Sequence, residues 1–285
     1  MAPAQRPGIP LGRVVGVPIY LAPSWFIVAA VVVVVFEPTV ARVADVDRPQ
    51  TFVVAAAFAV LLLLSVLVHE LSHAGVALRL RMPVKEIVLT LWGGHTQFED
   101  DAPTPGRSAA VAVVGPLSNG VLALLGLIAL TQVDGGVSSL LIGALVVTNA
   151  FVAVFNLAPG LPLDGGRVVE SAGWKATGRR SAGTRIAGWC GRVVAVLVVL
   201  WAIGWPLLAG RQPSLFSVIW SVLIASMLWQ GASAAIAVAR LRQEAEGLDL
   251  RAFTVPAVAS PVSAAAWQLL RPADDVHVVA VDESG

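Results

Sequence analysis

Residues 52–68 read FVVAAAFAVLLLLSVLV, seventeen positions with one polar side chain, Ser65. As a helix, a run of that length crosses most of the roughly 30 Å hydrocarbon core of a bilayer. Inside lipid every backbone N–H and C=O must be satisfied within the chain, so spanning segments are restricted to helices and closed barrels. Comparable stretches recur at Trp25–Phe36, 107–130, 137–157, 186–209 and 214–240, which with 52–80 makes six spans. Only 13% of the residues are charged and 57% are hydrophobic, where soluble domains carry about a quarter charged residues. The expected fold is an all-α polytopic membrane protein with about six transmembrane helices. A net charge of +1 says nothing about nucleic acid, and with no dense basic cluster to argue for one, no nucleic-acid partner is expected. The one cysteine, Cys190, lies in an apolar segment, excludes an internal disulfide and reads as a small packing residue.

Basic residues orient the spans. Arg6 and Arg13 precede the first, Arg79, Arg81 and Lys85 follow the second, and Arg240 and Arg242 follow the sixth. Arg167, Lys175, Arg179, Arg180 and Arg185 fall between the fourth and fifth. The opposite loops hold Arg42 and Arg48 among three acids, no basic residue in 131–136, and Arg211. The positive-inside rule then places both termini in the cytoplasm and the chain in the cell membrane. The first span is short enough to be a signal-peptide core, but no clean A-x-A cleavage site follows it.

Three segments break the helical pattern. IPLGRVVGVPIYLAPSWF (9–26) mixes prolines and glycines with β-branched residues and reads as a short strand or hairpin near the membrane surface. VKEIVLTLWGGHTQFED (84–100) alternates apolar and polar residues and is expected to be a membrane-associated β-hairpin that bends at Gly93-Gly94. NLAPGLPLDGGR (156–167) cannot remain helical with two prolines and three glycines. Irregular backbone at membrane depth is tolerated where it is buried in protein or lines a wet cavity, so these segments point to one.

The chemistry sits directly after the apolar run, where VHELSH (68–73) matches H-E-x-x-H. On a helix His69 and His73 lie about 40° apart around the axis, so both imidazoles can reach one ion. Glu70, about 100° from His69, can reach a water at that ion without ligating it. Ionisable residues at membrane depth are costly and mark functional sites. A catalytic zinc wants a third protein ligand and an open fourth position. Asp164, in the broken stretch that ends the fourth span, is the carboxylate at comparable depth; its other reading is a cap on a helix that starts near Gly165. Of the remaining histidines, His277 is in the polar tail and His95 follows the Gly-Gly bend.

HELSH in a second span, followed by GPLSN (115–119) and then NLAPGLPLDGGR, resembles the site-2 protease family of intramembrane metalloproteases. The opening LGRVVGVPIYLAPSWF is also similar to the N-terminal segment of bacterial members, so the resemblance covers residues 10 to about 240. It implies that His69, His73 and Asp164 bind Zn2+, that Glu70 is the general base, and that Asn156 holds the substrate or the oxyanion. The 84–98 hairpin would be the strand that pairs with an unwound substrate. The implied substrate is a single-span membrane protein, such as an anti-sigma-factor-like regulator, cut in regulated intramembrane proteolysis. His95 departs from the family, which usually has a small apolar residue there; it reads as an interfacial histidine and is not assigned as a ligand.

Residues 1–243 thus form the expected metalloprotease domain. Residues 244–285 turn polar and resemble the first part of a cystathionine β-synthase (CBS) domain, with a short helix from Val262 to Leu270 and the strand HVVAVDESG. The resemblance stops at Gly285, before one repeat is complete, so the segment is expected to be loosely ordered or to pair with a second copy as a homodimer. A metal or small-solute transporter that uses the histidine pair as an ion site is the competing reading. It is weakened because the two halves show no internal repeat and an ion site has no need for Glu70.

Overall fold

The computed structural model describes residues 8–44, 46–91, 93–99, 101–246, 257–261 and 277–281. The chain separates into two compact units, 1–240 and 241–285. Among the described residues six helices are long and apolar enough to cross a membrane: α1 (Trp25–Val43), α2 (Arg48–Arg79), α3 (Pro105–Leu130), α4 (Gly136–Asn156), α6 (Arg180–Leu208) and α7 (Leu215–Glu246). Between α4 and α6 lies α5 (Asp164–Thr177), a helix in the stretch whose basic residues the sequence reading assigned to a loop. Large side chains such as Val34, Val53, Leu125, Val154 and Trp201 stand exposed on the spans, as expected where lipid is the solvent.

The first span runs seven residues beyond the expected end at Phe36. Glu37-Pro38 reads as a helix end in water, because the residue before proline avoids the α region. In a bilayer an opened backbone has no water to bond, so the helix continues with Pro38 inside it. The Glu37 carboxylate is satisfied there by the hydroxyl of buried Thr51 on α2, at 2.8 Å. The fifth span likewise begins at Arg180 rather than 186, so Arg185 is helical, and the sixth extends past 240.

The first two irregular segments form one sheet of order β1-β2-β3-β4: β1 (Ile9–Val14), β2 (Val17–Leu21), β3 (Val84–Thr90) and β4 (Gly93–Phe98). The two expected hairpins are present, and β2 joins them by pairing parallel to β3, with Ile19 opposite Ile87 and Leu21 opposite Leu89. Thr90 pairs with Gly93, so the second hairpin reverses between those residues, not at Gly93-Gly94 as expected. Both glycines are needed in β4 for other reasons: Gly93 has φ +105°, and Gly94 makes a close approach described below. Val17, Ile19 and Leu21 alternate inward and pack with Ile87, Leu89 and Ala74 of α2, so the sheet rests on the helix that carries the histidines. Among the described residues β4 pairs on one side only, which leaves an edge beside α2.

In the second unit β5 (Ala257–Pro261) and β6 (His277–Val281) pair in parallel. The helix expected from Val262 to Leu270 lies outside the described residues.

Candidate metal centre

His69, Glu70 and His73 are all buried on α2, at 7%, 5% and 6% exposure, in a helix that exposes Val53, Val60, Leu64 and Val68 on another face. The two imidazoles converge, with Nε2 to Nε2 at 3.0 Å. Asp164 Oδ2 closes the group at 3.2 Å from His69 Nε2 and 3.3 Å from His73 Nε2. Asp164 is the first residue of α5; the N-cap is Leu163, and no side chain caps the helix. Its carboxylate is therefore spent on the histidines and not on a cap. A Cβ at either Gly165 or Gly166 would overlap backbone of 157–161, so the glycines after Asp164 let the broken stretch fold onto the helix start.

The tautomers follow from the hydrogen bonds. His73 Nδ1 donates to the Val111 carbonyl at 2.7 Å. His69 Nδ1 faces Asn119 Oδ1 at 2.5 Å. That atom is the amide oxygen, because Asn119 Nδ2 donates to Asn149 Oδ1 at 2.7 Å. Asn149 Nδ2 in turn donates to Ser65 Oγ and to the Leu145 carbonyl. With both Nδ1 atoms protonated, the neutral rings present Nε2 lone pairs to each other and to a carboxylate oxygen. Three electron-rich atoms around one point call for a cation. Their spacing of 3.0–3.3 Å matches the roughly 3.3 Å edge of a tetrahedron about an ion bound at about 2.0–2.1 Å. The donor set, two imidazoles and one carboxylate, is that of a catalytic zinc.

Glu70 stands apart from this group. Its Oε2 accepts from Thr96 Oγ1 of β4 at 2.8 Å, and the same hydroxyl reaches the Glu70 carbonyl at 3.2 Å. A Cβ at Gly94 would overlap the Glu70 side chain, so the glycine lets the strand close over it. Gly115 does the same for α3, where a Cβ would overlap both imidazoles. Asn156 ends α4, half-buried and without a hydrogen-bond partner among the described residues. His95 is exposed on the face of β4 opposite Gly94 and Thr96, bonded to Gln97, and lies outside the metal-ligating group.

Asn119 falls within GPLSN, whereas Asn149 and Ser65 belong to none of the motifs. The available signal was an amide in each of two apolar spans, which lipid does not tolerate unpaired. Outer hydrogen bonds of this kind are worth about 10–100-fold in metal affinity. Asn119→Leu is therefore expected to weaken zinc affinity by roughly that factor with the helices intact, as read by chelator competition. Unchanged affinity would reduce the asparagine pair to helix packing.

Fold and site together define a polytopic membrane metalloprotease. A model of Peptidase family M50 matches residues 57–139 and 132–201. A Synechocystis protein that carries the name zinc metalloprotease sll0528 is 32% identical over 273 residues, 94% of this chain and 69% of that protein. The Mycobacterium tuberculosis protein named zinc metalloprotease Rip3 is 33% identical over 204 residues, 68% of this chain and 51% of its own length. Among solved structures, the site-2 protease from Methanocaldococcus jannaschii is similar with a TM-score of 0.56 and 25% identity, over 80% of this chain and 94% of that one. The chain belongs to peptidase family M50. It is a zinc metalloprotease of the site-2 protease type, acting within the membrane. The transporter reading gives way to that membership.

Proposed function

We propose that the chain hydrolyses a peptide bond within or near the transmembrane segment of a single-span membrane protein, as a step of regulated intramembrane proteolysis. His69, His73 and Asp164 hold the zinc, Glu70 is the general base and Asn156 positions the substrate. The observation that carries this reading is the meeting of His69 Nε2, His73 Nε2 and Asp164 Oδ2, with a buried carboxylate one residue from the first ligand. His69 lies ten residues from the end of α2 at Arg79, or roughly 15 Å along the axis, which supports chemistry at membrane depth. Zinc bound there polarises a carbonyl and lowers the pKa of a water to about 7. Glu70 takes the proton of the attacking water and returns it to the leaving amine. The Asn156 amide, free of partners among the described residues, can donate to the oxygen on which charge develops. A substrate helix has its own backbone groups paired and must unwind before attack. The open edge of β4, held against Glu70 through Thr96, supports capture of the unwound strand by β-addition.

The test is cleavage of a single-span substrate by the purified chain in lipid vesicles. Product masses should place the cut inside or within a few residues of the apolar segment, and a zinc chelator should abolish it. Cleavage confined to soluble peptides would overturn the reading.

We also propose a cytoplasmic-membrane location with both termini inside, on the strength of the basic-residue asymmetry. A reporter fused after Gly135 should read outside, and one after Leu80 inside. A cytoplasmic signal at Gly135 would refute the arrangement. An anti-sigma-factor-like regulator fits the single-span substrate class. The parallel pairing of β5 with β6 supports a CBS-like segment in 244–285, and we propose that this segment pairs with a second copy.

A further inference from the structure

The seam between α6 and α7 holds a charge that proteolysis does not use. No charged residue occurs from Val193 to Gly210, and Arg192 stands immediately before that run. Sixteen residues separate it from the end of α6 at Leu208, roughly 24 Å, so it sits near one edge of the roughly 30 Å hydrocarbon core. Trp229 is fourteen residues from the start of α7 at Leu215, roughly 21 Å, which is the same level. The guanidinium lies between two indoles, 4.7 Å from the ring of Trp189 and 4.9 Å from that of Trp229. Both indoles are about half exposed, at 54% and 45%, and so face lipid. Nη2 donates to Ser233 Oγ at 3.1 Å. Nε is shut in without an acceptor. Among the described residues no carboxylate pairs with Arg192, so its charge has no counter-ion among them.

Directly beside it a groove of about 390 Å³ runs between the two helices toward the middle of the bilayer. Its walls include Ala195, Val199, Val222, Ala225, Ser226 and Trp229. The Ser226 hydroxyl donates to the Leu223 carbonyl, so the walls present hydrocarbon. Trp229 belongs to both features, covering the guanidinium and closing the groove. Arg185, seven residues before Arg192 on the same face of α6 and exposed, adds positive charge on the headgroup side. A cation at the headgroup level that continues into an apolar slot matches an amphiphile with an anionic head and a hydrocarbon tail.

We propose that this seam is a binding site for an anionic phospholipid, its phosphate on the free Nη edge of Arg192 and one acyl chain in the groove. Guanidinium recognises phosphate by paired N–H donors, which a more strongly hydrated lysine would not reproduce. The occupant is lipid rather than free phosphate because the groove adjoins the charge. The flanking indoles anchor the headgroup level as interfacial aromatics do.

The experiment is native mass spectrometry of the purified full chain in neutral detergent, titrated with phosphatidylglycerol or phosphatidylcholine of the same chains. One phosphatidylglycerol should be retained, and phosphatidylcholine should need a concentration roughly tenfold or more higher, the scale of one charge-assisted hydrogen bond. Arg192→Gln should remove that preference. Ser226→Trp, which fills the groove from its exposed rim and keeps the charge, should weaken retention by a similar factor. Zinc content equal to that of the unaltered chain reports an intact fold; if Arg192→Gln loses zinc, Ser226→Trp decides alone. Equal retention of the two lipids, unchanged retention in Ser226→Trp, or displacement by millimolar inorganic phosphate would each overturn the proposal.

Discussion

Glu70→Gln is expected to lower proteolysis by roughly 10²–10⁴-fold while zinc content and fold remain unchanged, the range that a positioned general base supplies. That loss corresponds to about 3–5 kcal/mol of barrier. The substitution is close to isosteric. The glutamine oxygen can still accept from Thr96 Oγ1, which bonds the carboxylate in the unaltered chain, and the side chain keeps its place beneath Gly94. Only basicity is lost. Cleavage of a single-span substrate and elemental analysis on the same preparation check both halves of the expectation. A variant that cleaves at near the original rate would remove Glu70 from the mechanism, and one that loses zinc would make it a structural residue.

Removing ligands should have the opposite signature, with zinc and activity falling together. His69→Ala combined with His73→Ala takes away both imidazoles and is expected to leave no detectable zinc and no proteolysis. Asp164→Ala leaves the two histidines and their Nδ1 partners Asn119 and Val111 in place. It should lower occupancy less than the double variant does, yet stop turnover by altering the coordination that a catalytic zinc requires. The start of α5 should survive, because no side chain caps it. Equal zinc content in the unaltered chain and Asp164→Ala, by elemental analysis, would show that the carboxylate is not a ligand.

These expectations rest on features of unequal visibility in the sequence. H-E-x-x-H is legible because two histidines one helical turn apart need only local periodicity to face the same way. The six spans are legible for a related reason: lipid leaves an apolar run no alternative to a helix. Asp164 was recognisable as an acid in a broken stretch, but its choice between cap and ligand was not. That choice depended on where α5 begins and on what lay across from it, two imidazoles more than ninety residues earlier in the chain. The same holds for the chain Asn119–Asn149–Ser65, whose members come from three helices.

Sequence alone determined the solvent this protein folds in, the number and approximate limits of its spans, and the pair of imidazoles that share a helix face. Each of those is a matter of one segment and its surroundings, within about twenty residues. Tertiary structure alone decided that β2 would pair in parallel with β3 across two intervening helices, and that Gly94 and Gly115 would bring β4 and α3 against Glu70 and the histidines. Those outcomes depend on close approach between segments far apart in the chain. Backbones meet where a missing Cβ leaves room, and buried polar groups accept whichever partner the packing brings within hydrogen-bond distance.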